Sequence, residues 1–124
     1  MAYPAIMTVA VTADPSAHRY QITTEGQLAG FTSYRDREVG GSSERIFFHT
    51  EVAPEFGGQG LATTLIEHAL DDTRAQGRTI IAVCPLVAAF LKKHPDYAAA
   101  SHPVTPDVLT WLDTELAHQK PSDS

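Results

Sequence analysis

Two side chains on one predicted strand carry groups that can move a proton. His49 and Glu51 lie two residues apart in the stretch FFHTEV, and side chains with that spacing share one face of a strand. A neutral imidazole accepts a proton near pH 7, and a glutamate does so when burial raises its pKa. Either residue is therefore a candidate general base. The alternative is structural, with His49 hydrogen-bonded in the strand and Glu51 solvated at its edge.

The only cysteine, Cys84, follows the apolar run TIIAV and precedes Pro85. Functional groups in α/β sheets collect at the ends of strands, so a thiol at this place can act as a nucleophile, donate a proton or line a site. The alternative is a small buried apolar residue. A single cysteine forms no disulfide within the chain and is typical of a reducing compartment, so we expect a cytoplasmic protein.

Three glycines lie within four positions of the stretch PEFGGQGLATT, residues 54–64, just before a helix-like pattern. A helix start with a bare backbone binds anions, because its free N–H groups converge and the helix dipole adds positive charge. The Walker phosphate-binding pattern is absent, since no Lys-Ser or Lys-Thr pair closes the loop. The dinucleotide fingerprint is incomplete, since Thr63 replaces its third glycine. A tight turn without a ligand is the alternative.

Short runs rich in β-branched and aromatic residues predict the strands that position these groups. The predicted strands cover residues 6–12, 19–23, 27–35 and 44–52, and the polar segment DREVGGSSE predicts a loop before the last of them. Turn signals separate the strands. The first half of the chain is therefore predicted to be an antiparallel meander.

From Gly60 onward the apolar residues recur every three or four positions, which predicts an amphipathic helix. Gly77 is expected to end this helix. The next run, residues 79–84, is continuously apolar, as in a strand that is covered on both faces. One helix between two strands predicts a right-handed crossover, with the fourth and fifth strands parallel.

Two more helices are predicted in the last third of the chain. The first covers residues 86–93 and stops before Pro95. The second has Thr105 as its N-cap and Pro106 in its first turn. Its expected buried face consists of Val108, Leu109, Trp111, Leu112 and Leu116. The tail from about residue 119 is expected to be flexible.

Composition limits the class of protein. The chain of 124 residues has the size of one domain, residues 1–124, and a formal charge of −6. No basic surface is predicted for a nucleic-acid partner, and no apolar run is long enough to span a membrane. The histidines lack the spacing with one another or with Cys84 that a zinc site requires, so we expect no metal.

The stretch EVAPEFGGQGLATTLIEHAL resembles the acetyl-coenzyme A signature of the GNAT superfamily of N-acetyltransferases, Gln/Arg-x-x-Gly-x-Gly/Ala. Gly60 and Ala62 match its last two fixed positions, and Gly57 replaces the usual Arg or Gln. With FFHTEVAPEF before the loop and AVCPLVAAFLKKHPDY after it, the chain resembles the small single-domain subfamily of YjdJ type. The resemblance covers approximately residues 18–97. The helices that commonly follow the first strand of full-size relatives are missing.

That resemblance implies a GNAT-like mixed sheet, of class α/β or α+β, whose fourth and fifth strands splay apart around the pantetheine arm of acetyl-coenzyme A. It implies contacts from Val52 to the pantetheine and from the glycine loop to the pyrophosphate. The loop residues are Gly57, Gly58, Gln59, Gly60, Leu61 and Ala62. The implied reaction moves an acetyl group to an unidentified amine on a small molecule or a protein. A monomer or weak dimer is expected.

Within that reaction His49 or Glu51 is the expected base, and Cys84 is expected to line the site near the thioester. Cys84 either accepts the acetyl group covalently or serves as a wall or acid of the site, and direct transfer is favoured. The tyrosine that often donates a proton in the superfamily corresponds best to Phe90, and Tyr97 is a lesser candidate. A coenzyme-binding or acyl-sensing module without efficient catalysis is the second functional hypothesis. An interaction domain without a cofactor is the third.

Overall fold

The computed structural model describes residues 8–58 and 60–119, without the side chain of residue 119. Predictions for residues 6 and 7, for Gln59 and for the tail from Lys120 lie outside the described residues. The strands are Val9–Asp14 (β1), Arg19–Thr24 (β2), Gln27–Val39 (β3), Ser42–Val52 (β4), Thr79–Ala82 (β5) and Ser101–His102 (β6). The helices are Leu61–Ala75 (α1), Pro85–Lys93 (α2), Pro95–Ala98 (α3) and Pro106–Gln119 (α4). Short 3-10 turns cover Pro15–Ala17 and Pro54–Phe56.

The strands form one mixed sheet of six strands, whose order follows the chain from β1 to β6. The pairs from β1 to β4 are antiparallel, whereas β4 with β5 and β5 with β6 are parallel. The predicted mixed α/β fold, with a meander followed by a crossover through α1, is confirmed. The sequence pattern did not predict α3 or β6, because a single helical turn and a strand of two residues leave no periodic signal.

A long hairpin replaces the loop predicted over the segment DREVGGSSE. β3 runs on to Val39, β4 starts at Ser42, and these two residues pair across a two-residue turn. The turn residues Gly40 and Gly41 have φ values of 55° and 85°, as a type I′ hairpin turn requires. The loop prediction is wrong because the charged residues of this segment pair across the strands, and opposite charges on neighbouring strands attract.

Both faces of the sheet are covered at its parallel end. Ile80 and Ile81 are adjacent in β5, and each is buried in a different cluster. Ile80 packs with residues of α1 and α2, and Ile81 packs with residues of α4. Because neighbouring strand residues point to opposite faces, the two-sided burial predicted for the fifth strand is confirmed. The strand itself ends at Ala82, two residues earlier than predicted.

The last helix has the predicted start but a narrower buried stripe. The main-chain N–H of Val108 donates to the Thr105 hydroxyl at 3.2 Å, which confirms the N-cap. Val108 and Leu112 are buried, but Leu109 is 43% exposed, so its predicted burial is wrong. Leu109 lies about 100° around the helix from Val108 and therefore leaves the sheet. Among the described residues, no helix is long and apolar enough to cross a membrane.

Helix α1 ends as the sequence predicts. The N–H of Gly77 donates to the Arg74 carbonyl at 2.9 Å, and the N–H of Arg78 donates to the Thr73 carbonyl at 3.0 Å. This pair of bonds is a Schellman motif. The buried face of α1 carries Leu61, Leu65, Ile66, Ala69, Leu70 and Thr73. This face anchors the helix on the sheet and holds its N-terminus at the carboxyl end of β4.

A partly buried ion pair ties the hairpin to the far end of α1. Arg45 donates to both carboxylate oxygens of Asp36, at 2.7 and 2.9 Å, and to the Tyr20 hydroxyl at 2.6 Å. The Tyr20 hydroxyl donates to Asp72 at 2.6 Å. Burial, with the hydrogen bond to Asp72 adding to it, raises the pKa of Tyr20. Burial also raises the pKa of Tyr34, whose ring centre lies 4.1 Å from the Arg45 guanidinium.

Candidate active site

The two central parallel strands separate beyond Phe47. The register of β4 with β5 runs from Glu44 beside Thr79 to Phe47 beside Ala82. After that point the N–H groups of Val83 and Cys84 both donate to the Phe47 carbonyl, each at 2.9 Å. β4 continues to Val52 without a strand on this side. A gap therefore opens between the end of β4 and the start of α2.

A β-bulge in β4 accompanies the gap. Ser33 pairs with His49 and Tyr34 pairs with Phe47, so Phe48 has no partner on β3. An extra residue of this kind bends a strand and increases its local twist. The end of β4 consequently stays with β3 and turns away from β5.

Main-chain groups of β4 face the gap. The N–H of Ala53 donates to the Ala29 carbonyl at 2.8 Å, and the register places Val52 opposite Gly30. In an antiparallel ladder, residues alternate between bonding the partner strand and pointing away from it. Val52 and Thr50 are therefore the residues whose N–H and C=O groups point away from β3 and into the gap. An extended ligand can bind such groups as an added strand.

The N-terminus of α1 lies directly after β4 and the turn that follows it. No described side chain caps this end, and the N–H of Thr64 makes the first intrahelical bond, to the Gly60 carbonyl at 3.2 Å. The N–H groups just before Thr64 are left for a ligand, and the helix dipole favours a negative one. Gly58 and Gly60 have φ values of 78° and 73°, so the chain conformation requires glycine there.

A groove of about 170 Å³ runs between the first half of α1 and α2. It is lined by Ala62, Thr63, Ile66, Leu86, Ala89, Phe90, Lys93 and His94. The Phe90 and His94 rings stack with their centres 4.0 Å apart and form one wall. Lys93 places a positive charge on the groove, close to the start of α1.

His49 and Glu51 form a pair on the exposed side of β4. Their side chains are joined by a contact of 3.0 Å between Nε2 and Oε1, and both residues are exposed. The Phe31 ring lies beside the imidazole, at 5.8 Å between centres. The pair can take a proton from a ligand on this face and pass it to water.

Cys84 lies on the opposite face, in contact with Thr50, which in turn contacts Thr32. Its side chain is 2% exposed, and its Sγ–H donates to the Thr50 hydroxyl at 3.2 Å. The Thr50 and Thr32 hydroxyl oxygens lie 2.9 Å apart. The structure therefore joins His49 with Glu51 and Cys84 with Thr50, one pair on each face of β4.

The aromatic residues after β5 offer no acid to the gap. Phe90 is apolar, and Tyr97 donates its hydroxyl to Asp71 at 2.8 Å. That hydrogen bond raises the pKa of Tyr97 to about 12. Asp71 lies ten residues into α1, which places it about 15 Å along the axis from the helix start.

No group of three His, Cys, Asp or Glu side chains arranged to hold a metal ion occurs within residues 8–58 and 60–119. The gap at the open ends of parallel strands is the kind of place where ligands commonly bind in sheets of this type. The sequence model of the GCN5-related N-acetyl-transferase family matches residues 19–100. The chain belongs to this family, which confirms the prediction of an acyltransferase-family enzyme. No curated protein sequence matches the chain.

Solved structures with the same fold include three bacterial proteins. A GCN5-like protein from Staphylococcus aureus is 22% identical over 78% of this chain and 91% of its own, with a TM-score of 0.57. A ribosomal-protein-alanine N-acetyltransferase from Brucella melitensis is 19% identical over 70% and 62%, with a TM-score of 0.52. An integron cassette protein from V. cholerae is 15% identical over 60% and 51%, with a TM-score of 0.51. This chain thus spans less than two thirds of the length of the second and third proteins. At these low identities, all three similarities concern the fold alone.

Proposed function

We propose that the chain binds acetyl-coenzyme A and moves its acetyl group to an amine on a small molecule or a protein. The gap between β4 and β5, beside the uncapped start of α1, is the observation that carries this proposal. The amide-containing pantetheine arm matches the free main-chain groups of Val52 and Thr50. The pyrophosphate matches the N–H groups around Gly60 and Ala62. Lys93 would face the nucleotide end.

The two faces of β4 give the proposed site two entrances. The coenzyme would enter on the side of α1, and the amine would approach the exposed face that carries His49 and Glu51. An amine must lose a proton to attack the thioester, and the imidazole is placed to accept it while Glu51 orients the ring. Transfer would be direct, because Cys84 is buried and its proton is engaged by Thr50.

Titration calorimetry with acetyl-coenzyme A tests the binding step, and a chain that shows no heat of binding at sub-millimolar coenzyme would rule the proposal out. Acetyl transfer to polyamines, lysine peptides and aminoglycosides then tests turnover. His49→Ala is expected to lower the rate about 10²- to 10⁴-fold, the usual contribution of a general base. His68→Ala, a change of another exposed histidine on α1, is the matched control and should leave the rate unchanged.

Mass spectrometry after mixing with acetyl-coenzyme A separates the two roles of Cys84. Direct transfer predicts that the chain keeps its mass in the absence of an amine. An added acetyl group that disappears in Cys84→Ala would show a covalent step instead.

A coenzyme-binding or acyl-sensing module is the second candidate function. It is favoured by Gly57 in place of a contacting side chain, by the apolar Phe90, and by the engagement of the Tyr97 hydroxyl with Asp71. Binding of acetyl-coenzyme A without transfer to any amine of the panel would select this function over the first.

We also propose that the chain belongs to the small YjdJ-type subfamily, that residues 1–124 form one domain, and that the protein is a monomer or a weak dimer. Light scattering across a concentration series tests the last of these, and a tight dimer would contradict it.

A further inference from the structure

The Thr50 hydroxyl lies between two hydrogen-bond donors at the mouth of the gap. Cys84 donates its Sγ–H to Thr50 Oγ1 at 3.2 Å, from the start of α2. Thr32 Oγ1 lies 2.9 Å from Thr50 Oγ1, on the side of β3. Through one oxygen atom, Thr50 on β4 therefore links β3 on one side with the start of α2 on the other side of the gap.

The direction of the bond between the two threonines follows from burial. Thr32 is 0% exposed, and among the described residues its hydroxyl has Thr50 Oγ1 as its only partner. If Thr50 donated, the Thr32 hydrogen would be buried without an acceptor, which is costly. Thr32 is therefore the donor. Thr50 Oγ1 then accepts two hydrogen bonds, which uses both of its lone pairs and leaves its own hydrogen free.

We infer that the Thr50 hydroxyl donates this free hydrogen bond to the sulfur atom of the bound coenzyme. Thr50 is half-buried and lies on the part of β4 that has no strand beside it on the gap side, so a ligand in the gap can reach it. The core-facing side chains of α2, Val87 and Phe90, are apolar and have no hydrogen to donate. This inference rests on the proposed function and adds a residue to it.

The chemical step shows why a donor is needed at this position. The amine nitrogen forms a bond to the carbonyl carbon of the thioester, and the carbon–sulfur bond breaks. The electron pair of that bond leaves on sulfur, the amine proton goes to His49, and the thiolate later takes a proton from water. Negative charge grows on sulfur as the bond breaks, and a fixed hydroxyl donor stabilises that charge. Cys84 and Thr32 are positioning residues, because they hold the Thr50 oxygen without touching the sulfur.

The test measures binding of free coenzyme A and of desulfo-coenzyme A, which lacks the sulfur, by titration calorimetry at several pH values. The coenzyme thiol is a simple alkyl thiol, so it ionises at a higher pH than a cysteine side chain, whose ordinary value is about 8.5. Hydrogen bonds to an ionised group are about twice as strong as neutral ones. The wild type is therefore expected to bind coenzyme A about tenfold more tightly than Thr50→Val at pH values where the thiol is ionised, and only slightly more tightly where it is protonated. For desulfo-coenzyme A the ratio should not change with pH.

Two variants serve as controls. Thr50→Ser keeps the hydroxyl and should bind as the wild type does. Thr32→Val removes one of the two bonds that hold the Thr50 oxygen but leaves the Thr50 hydroxyl and its bond from Cys84 in place, so it should keep most of the dependence on pH. The inference is overturned if Thr50→Val keeps that dependence, or if Thr32→Val loses it equally. Absence of coenzyme binding by the wild type would instead refute the proposed function, and this inference with it.

Discussion

Gly57 holds the position in the loop where a longer side chain can be added at low cost. Its φ of −65° and ψ of 154° are extended values that any residue adopts. A Cβ at this position would lie 3.3 Å from the Pro54 carbonyl oxygen, so only a small shift is needed. Gly58 and Gly60 have no such tolerance, because their positive φ values disfavour side chains.

Gly57→Arg is expected to tighten binding of acetyl-coenzyme A about tenfold, because a hydrogen bond to a charged group contributes about 1.5–3 kcal/mol. Titration calorimetry measures the change. Gly57→Ala adds only the Cβ and is the control, which should bind as the wild type does. An arginine variant that binds no more tightly than the alanine variant would show that the pyrophosphate lies elsewhere.

For individual residues, the sequence predicted which side chains share a face of β4. It did not predict which side chains of other elements they contact. The alternation in HTEV correctly separates His49 and Glu51 from Thr50 and Val52. The contact of Thr50 with Cys84 could not be predicted, because it depends on the bulge at Phe48 and on the early end of β5. Neither feature has a local sequence signal, since both arise from packing between distant strands.

Helix α2 contributes to the proposed coenzyme site through Lys93 in its last turn. Lys93 lines the groove beside α1, whereas its neighbour Lys92 does not. Lys93→Ala is therefore expected to weaken acetyl-coenzyme A binding about threefold, which is the scale of one exposed charge contact. Binding of acetyl-pantetheine, which lacks the nucleotide, should not change.

The matched variant Lys92→Ala removes the same charge from the same helix end. It is expected to bind both compounds as the wild type does. Equal losses in the two lysine variants would point to a general effect of net charge and would refute a specific contact in the groove.

The β3–β4 hairpin depends on its two-residue turn. Gly41 has a φ of 85°, so Gly41→Ala is expected to lower the free energy of unfolding by about 1 kcal/mol or more. Gly41→Asn should cost less, because asparagine tolerates the left-handed region. Urea denaturation of both variants measures the difference. Equal stability of the alanine variant and the wild type would contradict the turn type.

Helices and strands could be predicted from the sequence where apolar residues recur over a long segment on one face. The apolar spacing from Leu61 to Leu70 and the stop at Gly77 gave α1 correctly. The segment after Arg35 was predicted as a loop because its residues are charged, and only the pairing of Asp36 with Arg45 shows that they stabilise a ladder. Charge predicts solvent contact, but it does not exclude a strand.

The molecule as a whole is expected to lose stability at high pH. Tyr20, Tyr34 and Tyr97 all have pKa values raised above the ordinary value of 10.0. A raised pKa means that the protonated phenol stabilises the folded state, so this contribution is complete below about pH 10 and is lost as the pH rises through the folded values. The free energy of unfolding should therefore fall between about pH 10 and about pH 12.

Denaturation with urea at a series of pH values measures this fall. Tyr97→Phe removes the phenol that titrates at about 12, so its curve should be less steep in that range. A wild-type curve without any decline above pH 10 would refute the linkage.

The order of strands in the sheet also sets the order in which the molecule can assemble. Each strand pairs with the one that precedes it in the chain, so most contacts close short loops, which favours rapid folding. The meander from β1 to β4 can form during synthesis, before the crossover helix has left the ribosome. The gap acquires its second wall only when β5 and the start of α2 arrive. In a nascent chain His49 and Glu51 would thus lie side by side on paired strands before α1 completes the core and before the second wall of the proposed coenzyme site is made.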